Sequence, residues 1–73
     1  MLRTKTIISN IEKNIKSVIY KDTKKSNELL KQLFFIHHAD IADLITRLNE
    51  QYQIALFKKL PRTLASNVFQ YLP

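Results

Sequence analysis

An all-α fold, a small stack of about five short helices, is what this sequence predicts, and three observations carry the prediction. The first is a recurrence: Leu44-Ile45 and Leu48 return twelve residues later as Leu56-Phe57 and Leu60, and again as Val68-Phe69 and Leu72. Within each copy the apolar residues fall at i, i+1 and i+4, which puts them on one side of a helical turn. The second is that each copy is opened by a helix-starting segment: His37-His38-Ala39-Asp40, then Asn49-Glu50-Gln51, then Pro61-Arg62-Thr63. The third is that each copy is too short to bury its own stripe, the condition under which successive units stack.

Taken in order, Met1 to Thr6 reads as a frayed end. From about Thr6 to Tyr20, the residues Ile7, Ile8, Ile11, Ile15, Val18 and Ile19 form a 3.6-period stripe with Glu12, Lys13, Lys16 and Ser17 opposite. One basic amphipathic helix is therefore expected within residues 1–22. Isoleucine is a mediocre helix former, so tertiary contact has to supply most of its stability. Lys21 suits the negative end of its dipole. Lys24 to Asn27 reads as a link, with Ser26 or Thr23 available as N-cap. A second helix then runs to about Phe35 with Leu29, Leu30, Leu33 and Phe34 inward, and Phe35 and Ile36 are expected to plug the joint that follows.

His37 opens the recurring region. Asp40 falls at the third helical position, where its carboxylate can accept from free N–H groups and face the positive end of the dipole. Ile41, Leu44, Ile45 and Leu48 make the inner stripe, and Ala42 is small enough for close helix approach. Asn49 caps the next helix, which carries Tyr52, Leu56, Phe57 and Leu60 inward and Ile54 and Ala55 on its flank. Pro61 stops that helix and is pre-set to begin the last, in which Leu64, Ala65, Val68, Phe69 and Leu72 face the stack. Residues 1–73 are expected to form a single domain, with the repeat-bearing helices spanning 26–73.

Size bounds what this stack can be. A chain of 73 residues buries only about 60% of the surface its unfolded form exposes, and a single core of this size seldom supplies more than about 3–5 kcal/mol. There is no cysteine, so no disulfide or thiolate metal site is available. No apolar run approaches the roughly 18–20 residues that span a bilayer, so this chain does not conduct ions by itself. The segment after Met1–Asn10 is broken by Glu12, Lys13, Asn14 and Lys16 before a signal-peptide core can form. A place in the cytoplasm, or on the cytoplasmic face of the inner membrane, is expected.

The formal charge of +6 is unevenly placed: residues 1–25 hold seven Lys/Arg against two acids, and 26–73 hold five against four. A basic first half suggests nucleic acid or an anionic membrane surface. On that reading the chain is a small nucleic-acid-binding helical protein working through Lys5, Lys13, Lys16, Lys21, Lys24 and Lys25. The preferred account is compositional, because nine Lys against three Arg, nine Ile, five Asn and no Gly match AT-rich coding that fills exposed positions.

Catalytic chemistry has almost no foothold, and no enzyme is expected. Gly-rich phosphate loops and thiols are absent, and Ser9, Ser17, Ser26 and Ser66 lack a general base at motif spacing. Tyr20, Tyr52 and Tyr71 read as rim packing. His37-His38-x-Asp40 has ligand-like chemistry, but adjacent residues at a helix start point about 100° apart, and no further ligands follow at a recognised spacing. Capping is the preferred role. Asp40 and Asp43, three apart, are the candidate metal-facing carboxylates; a magnesium ion takes only one or two carboxylates and keeps most of its waters. Capping and solvation are preferred for them as well.

Three stretches carry a family resemblance: Ile36-His37-His38-Ala39-Asp40-Ile41-Ala42-Asp43-Leu44-Ile45, then Leu56-Phe57-Lys58-Lys59-Leu60-Pro61, then Leu64-Ala65-Ser66-Asn67-Val68-Phe69. Together they resemble the start of the intracellular N domain of MgtE magnesium transporters and channels. That pattern runs His-Pro-Ala-Asp, a hydrophobic residue, Ala, Asp or Glu, Leu; later Leu-Phe-x-x-Leu-Pro; then Ala-Ala-Glu-Val-Leu/Phe. The resemblance implies a right-handed-type superhelical stack on the cytoplasmic side, a regulatory module that docks on CBS domains at high magnesium and helps hold a transmembrane pore shut. Here His38 stands where the family has Pro, which loosens the helix start. Asn67 stands where the family has an acidic residue, so the magnesium-sensing role is not carried over; no cofactor is expected, Mg²⁺ entering only through the resemblance.

The chain holds none of the CBS or transmembrane parts and is expected to be a fragment: a truncated form, or the product of a split or decaying gene. Its expected partners are CBS domains encoded elsewhere, and a second copy through Val68, Phe69 and Leu72, which would face water where the next helix belongs. By fold analogy alone, a FliG-type flagellar motor-switch module is a further alternative.

Overall fold

A computed structural model describes residues 3–73, and all regular structure among them is helical. The helices are α1 (Thr4–Lys13), α2 (Ile15–Tyr20), α3 (Lys24–Phe34), α4 (His38–Thr46), α5 (Glu50–Lys59) and α6 (Arg62–Phe69). Five helices were expected and six are found among the described residues, because the first stripe is cut at Asn14. There the backbone leaves the helical region (φ −115°, ψ 24°), and the Asn14 side-chain amide donates to the Asn10 carbonyl at 2.8 Å. A short polar side chain that competes with the helix ladder for a backbone carbonyl favours such a break. α1 starts at Thr4, inside the segment expected to fray; Met1 and Leu2 lie outside the described residues.

The chain divides into two compact units, one ending at Ile36 and the other running His37–Pro73. In the first, α3 packs on both α1 and α2, whereas the sequence grouped it with the recurring segments. Its core is Ile11, Val18, Ile19, Leu29, Leu33 and Ile36. α3 is opened by Thr23, whose hydroxyl accepts from the Ser26 N–H at 3.1 Å while the Ser26 hydroxyl accepts from the Thr23 N–H at 3.0 Å, a reciprocal cap that satisfies two donors at once. Both residues proposed for that cap are used. Phe35, expected to plug the joint, is instead 91% exposed. The helix ends there in a tight turn in which the Ile36 N–H donates to the Leu33 carbonyl, so of two consecutive residues one is carried in and the other out. Leu30 and Phe34 are half-buried.

In the second unit α5 and α6 each pack against α4. The residues that open the three copies, Leu44, Leu56 and Val68, are all fully buried, together with Ile41, Ala42, Ile45 and Leu60. The second residue of each copy behaves differently. Ile45 is buried, Phe57 is half-buried, and Phe69, expected inside, is 65% exposed. Residues i and i+1 diverge by about 100° on a helix. α4, with a neighbour on two sides, buries both; α5 and α6, each laid on α4, turn the second one away. Val68, Phe69 and Leu72, read both as facing the stack and as facing water where a further helix would belong, divide: Val68 is covered, Leu72 is half-buried and Phe69 is the exposed one. Leu48, Leu64 and Ala65 are half-buried.

The helix boundaries in this unit follow local chemistry. Leu60 is extended (φ −74°, ψ 140°), as the ring of the following Pro61 requires, and α6 starts one residue after that proline. Asn49 caps α5, its Oδ1 accepting from the Tyr52 N–H at 2.8 Å. Asn49→Ala is expected to cost about 1 kcal/mol, read as a lower urea midpoint at unchanged slope. At the start of α4 the hydrogen bond is made by His37, whose Nδ1 accepts from the Ala39 N–H at 3.1 Å, rather than by Asp40. Among the described residues no helix is long and apolar enough to cross a membrane.

Candidate functional site

The outward turn of Phe57 and Phe69 leaves a groove in the His37–Pro73 unit. It encloses about 470 Å³. Ile45, Phe57 and Leu72 line it from below, and the exposed side chains of Ile54 and Phe69 stand beside them. The two phenyl rings meet edge to face, centroids 6.4 Å apart, an arrangement aromatic pairs favour. Thr46, Gln53 and Lys58 are the polar side chains that line the groove. Two of the three are committed within the chain: Gln53 Nε2 donates to the Ile45 carbonyl at 3.0 Å and Thr46 Oγ1 to the Asp43 carbonyl at 2.7 Å. No carboxylate, imidazole or serine side chain lines it, so what its side chains offer is an apolar seat edged by one ammonium group.

The residues singled out for metal chemistry sit elsewhere and do not converge. The His37 and His38 rings lie 5.8 Å apart, tilted by 33°; His37 spends Nδ1 on its cap and meets the Tyr71 ring edge-on at 5.9 Å. Asp40 and Asp43 are both exposed. Asp43 pairs with Arg47 at 3.9 Å, a surface pair on one helix face that contributes little to stability. Asn67 is half-buried on α6. Among the described residues no group of three or more His, Cys, Asp or Glu side chains is placed to hold a metal ion.

Of the six lysines considered for nucleic acid, the fold brings two together. Lys21 and Lys25 line a smaller cavity of about 190 Å³ in the first unit, with Asn14, Ser17 and Thr23; Lys5, Lys13, Lys16 and Lys24 do not line it. Ser26 is buried in the cap of α3, and Tyr20 and Tyr71 are exposed.

The sequence placed Ile54 on a flank and gave Lys58 no role. A usable signal was present. Ile54, Phe57 and Lys58 stand at i, i+3 and i+4 on α5, a second stripe beside the inward one, and such residues share a helix face. No family model, curated protein or solved structure matches the chain.

Proposed function

We propose that this chain is a helical docking module corresponding to the opening part of an MgtE-type N domain, a cytoplasmic superhelical stack that regulates a magnesium transporter by binding its CBS domains and transports nothing alone. The observation that carries the reading is the coincidence of the family-like pattern with the core. Of the apolar positions through which the resemblance runs, Ile36, Ile41, Ala42, Leu44, Ile45, Leu56, Leu60 and Val68 are buried, while Ala39, Phe57, Leu64 and Ala65 are half-buried and Phe69 is exposed. The outward residues of the same copies, Phe57 and Phe69, frame an open apolar groove, the kind of surface on which one folded module seats another.

The test is a titration of the isotopically labelled full chain with the isolated CBS-domain pair of an MgtE transporter, with and without Mg²⁺. Amide shifts confined to residues around Ile54, Phe57 and Phe69, larger with Mg²⁺, are expected. A spectrum unchanged at both magnesium levels refutes the transporter assignment.

A further inference from the structure

We infer that the groove beside α5 and α6 receives an acidic amphipathic helix, whose apolar ridge fills the seat between Ile54 and Phe69 and whose carboxylate meets Lys58. This rests on the reading of the chain as a docking module and not on its transporter kinship.

The charge pattern selects the partner. After Glu50 the sequence has no acidic side chain, while Lys58, Lys59 and Arg62 supply a local side-chain charge of +3 (three cationic and no acidic side chains). α5 beyond its first residue and the whole of α6, the helices that bear Ile54, Phe57, Lys58 and Phe69, are therefore without a carboxylate. Gln53 and Thr46 each spend a donor within the chain, and Lys58, through its ammonium, is the charged side chain that lines the groove; no ion pair among the described residues involves it. An apolar occupant pressed against the groove strips water from that ammonium, a cost that an opposing carboxylate offsets and a basic side chain aggravates.

The same arithmetic disfavours a second copy. Each chain carries +6, and a two-fold pairing presents identical patches to one another, placing two Lys58-bearing grooves at one interface. The shape selects a helix. A volume of 470 Å³ accommodates several side chains rather than one, and a groove on a helical surface is filled by anchors at i, i+3 or i+4, and i+7 of an incoming helix.

The experiment uses two designed helical peptides with identical leucine anchors, one with Glu and one with Lys at the flanking positions, titrated by fluorescence anisotropy against the full chain. The Glu peptide is expected to bind about tenfold more tightly, a difference of about 1.4 kcal/mol, shrinking as salt is raised. Lys58→Glu, a change at an exposed position, is expected to reverse the preference. Equal affinity for the two peptides, binding of neither, or a preference untouched by Lys58→Glu overturns the inference. So does a dimer in sedimentation velocity that Phe69→Asp converts to monomer. If the CBS pair fails to bind while the Glu peptide binds, the transporter kinship falls and the groove assignment stands. If the CBS pair binds and the peptides show no charge preference, the reverse holds.

Discussion

Leu56→Ala is expected to leave the His37–Pro73 unit largely unfolded at 25 °C. Leu56 is fully buried on α5 where that helix packs against α4. Removing three carbons from such a position costs the lost transfer energy plus a cavity term, together about 2–5 kcal/mol. A core of this size supplies only about 3–5 kcal/mol in total, so one truncation is comparable to the whole. The informative comparison is Phe69→Ala, which deletes a larger side chain from a recurring copy of the same pattern. Phe69 is 65% exposed, and its loss is expected to change stability by less than about 0.5–1 kcal/mol. Amide-resolved spectra of residues 37–73 and urea melts followed by circular dichroism distinguish the two variants. Equal losses from them would mean that the copies are not divided into a buried and an outward member, and the groove would lose its physical basis.

That division also marks where the sequence stopped being legible. A twelve-residue recurrence of apolar pairs is visible in the chain because burial is periodic, and the residues that open the copies are the ones the core covers. Which member of each pair is covered depends on how many neighbours the helix has. That is a property of the assembled unit, and it separates Ile45 from Phe69. Local chemistry was equally visible where a single residue decides the backbone: Thr23 and Asn49 at helix starts, and Pro61 forcing Leu60 out of the helix.

Asn14 was missed because the isoleucine stripe passes over it in register. Periodicity reports what a helix would bury and not whether a side-chain amide will share a carbonyl with the ladder, as that of Asn14 does at Asn10. The allegiance of α3 was missed for a related reason. Leu29 and Leu33 declare that the helix needs a partner, and α1 and α2 offer one as readily as the helices after it. The candidate metal residues lie at the start of α4 and in its first turns, where the backbone gives His37 to a cap, Asp40 to solvent and Asp43 to Arg47 rather than bringing them to one point.

Ser26→Ala is expected to destabilise the unit ending at Ile36 by about 1 kcal/mol, the typical cost of losing a capping side chain. Ser26 is 2% exposed, the one buried polar residue among those described. A hydroxyl carries one hydrogen and two acceptor positions, and here all are occupied. The oxygen accepts from the Thr23 N–H and the Thr23 hydroxyl, both at 3.0 Å, and its hydrogen faces the carbonyls of Lys21 and Thr23, each at 2.9 Å. Alanine is the better helix former by roughly 0.5 kcal/mol, which offsets only part of the loss, because the Lys21 carbonyl and the Thr23 N–H keep their positions and lose their partner. Ser66→Ala on α6 is the control: Ser66 is exposed, so there only the propensity gain remains and stability is expected to rise slightly. The two substitutions are chemically identical and should move the urea midpoint in opposite directions. Faster hydrogen exchange at Lys24 to Asn27 in Ser26→Ala alone would place the damage at the turn joining α2 to α3, where this hydroxyl ties the extended segment to the first turn of the helix.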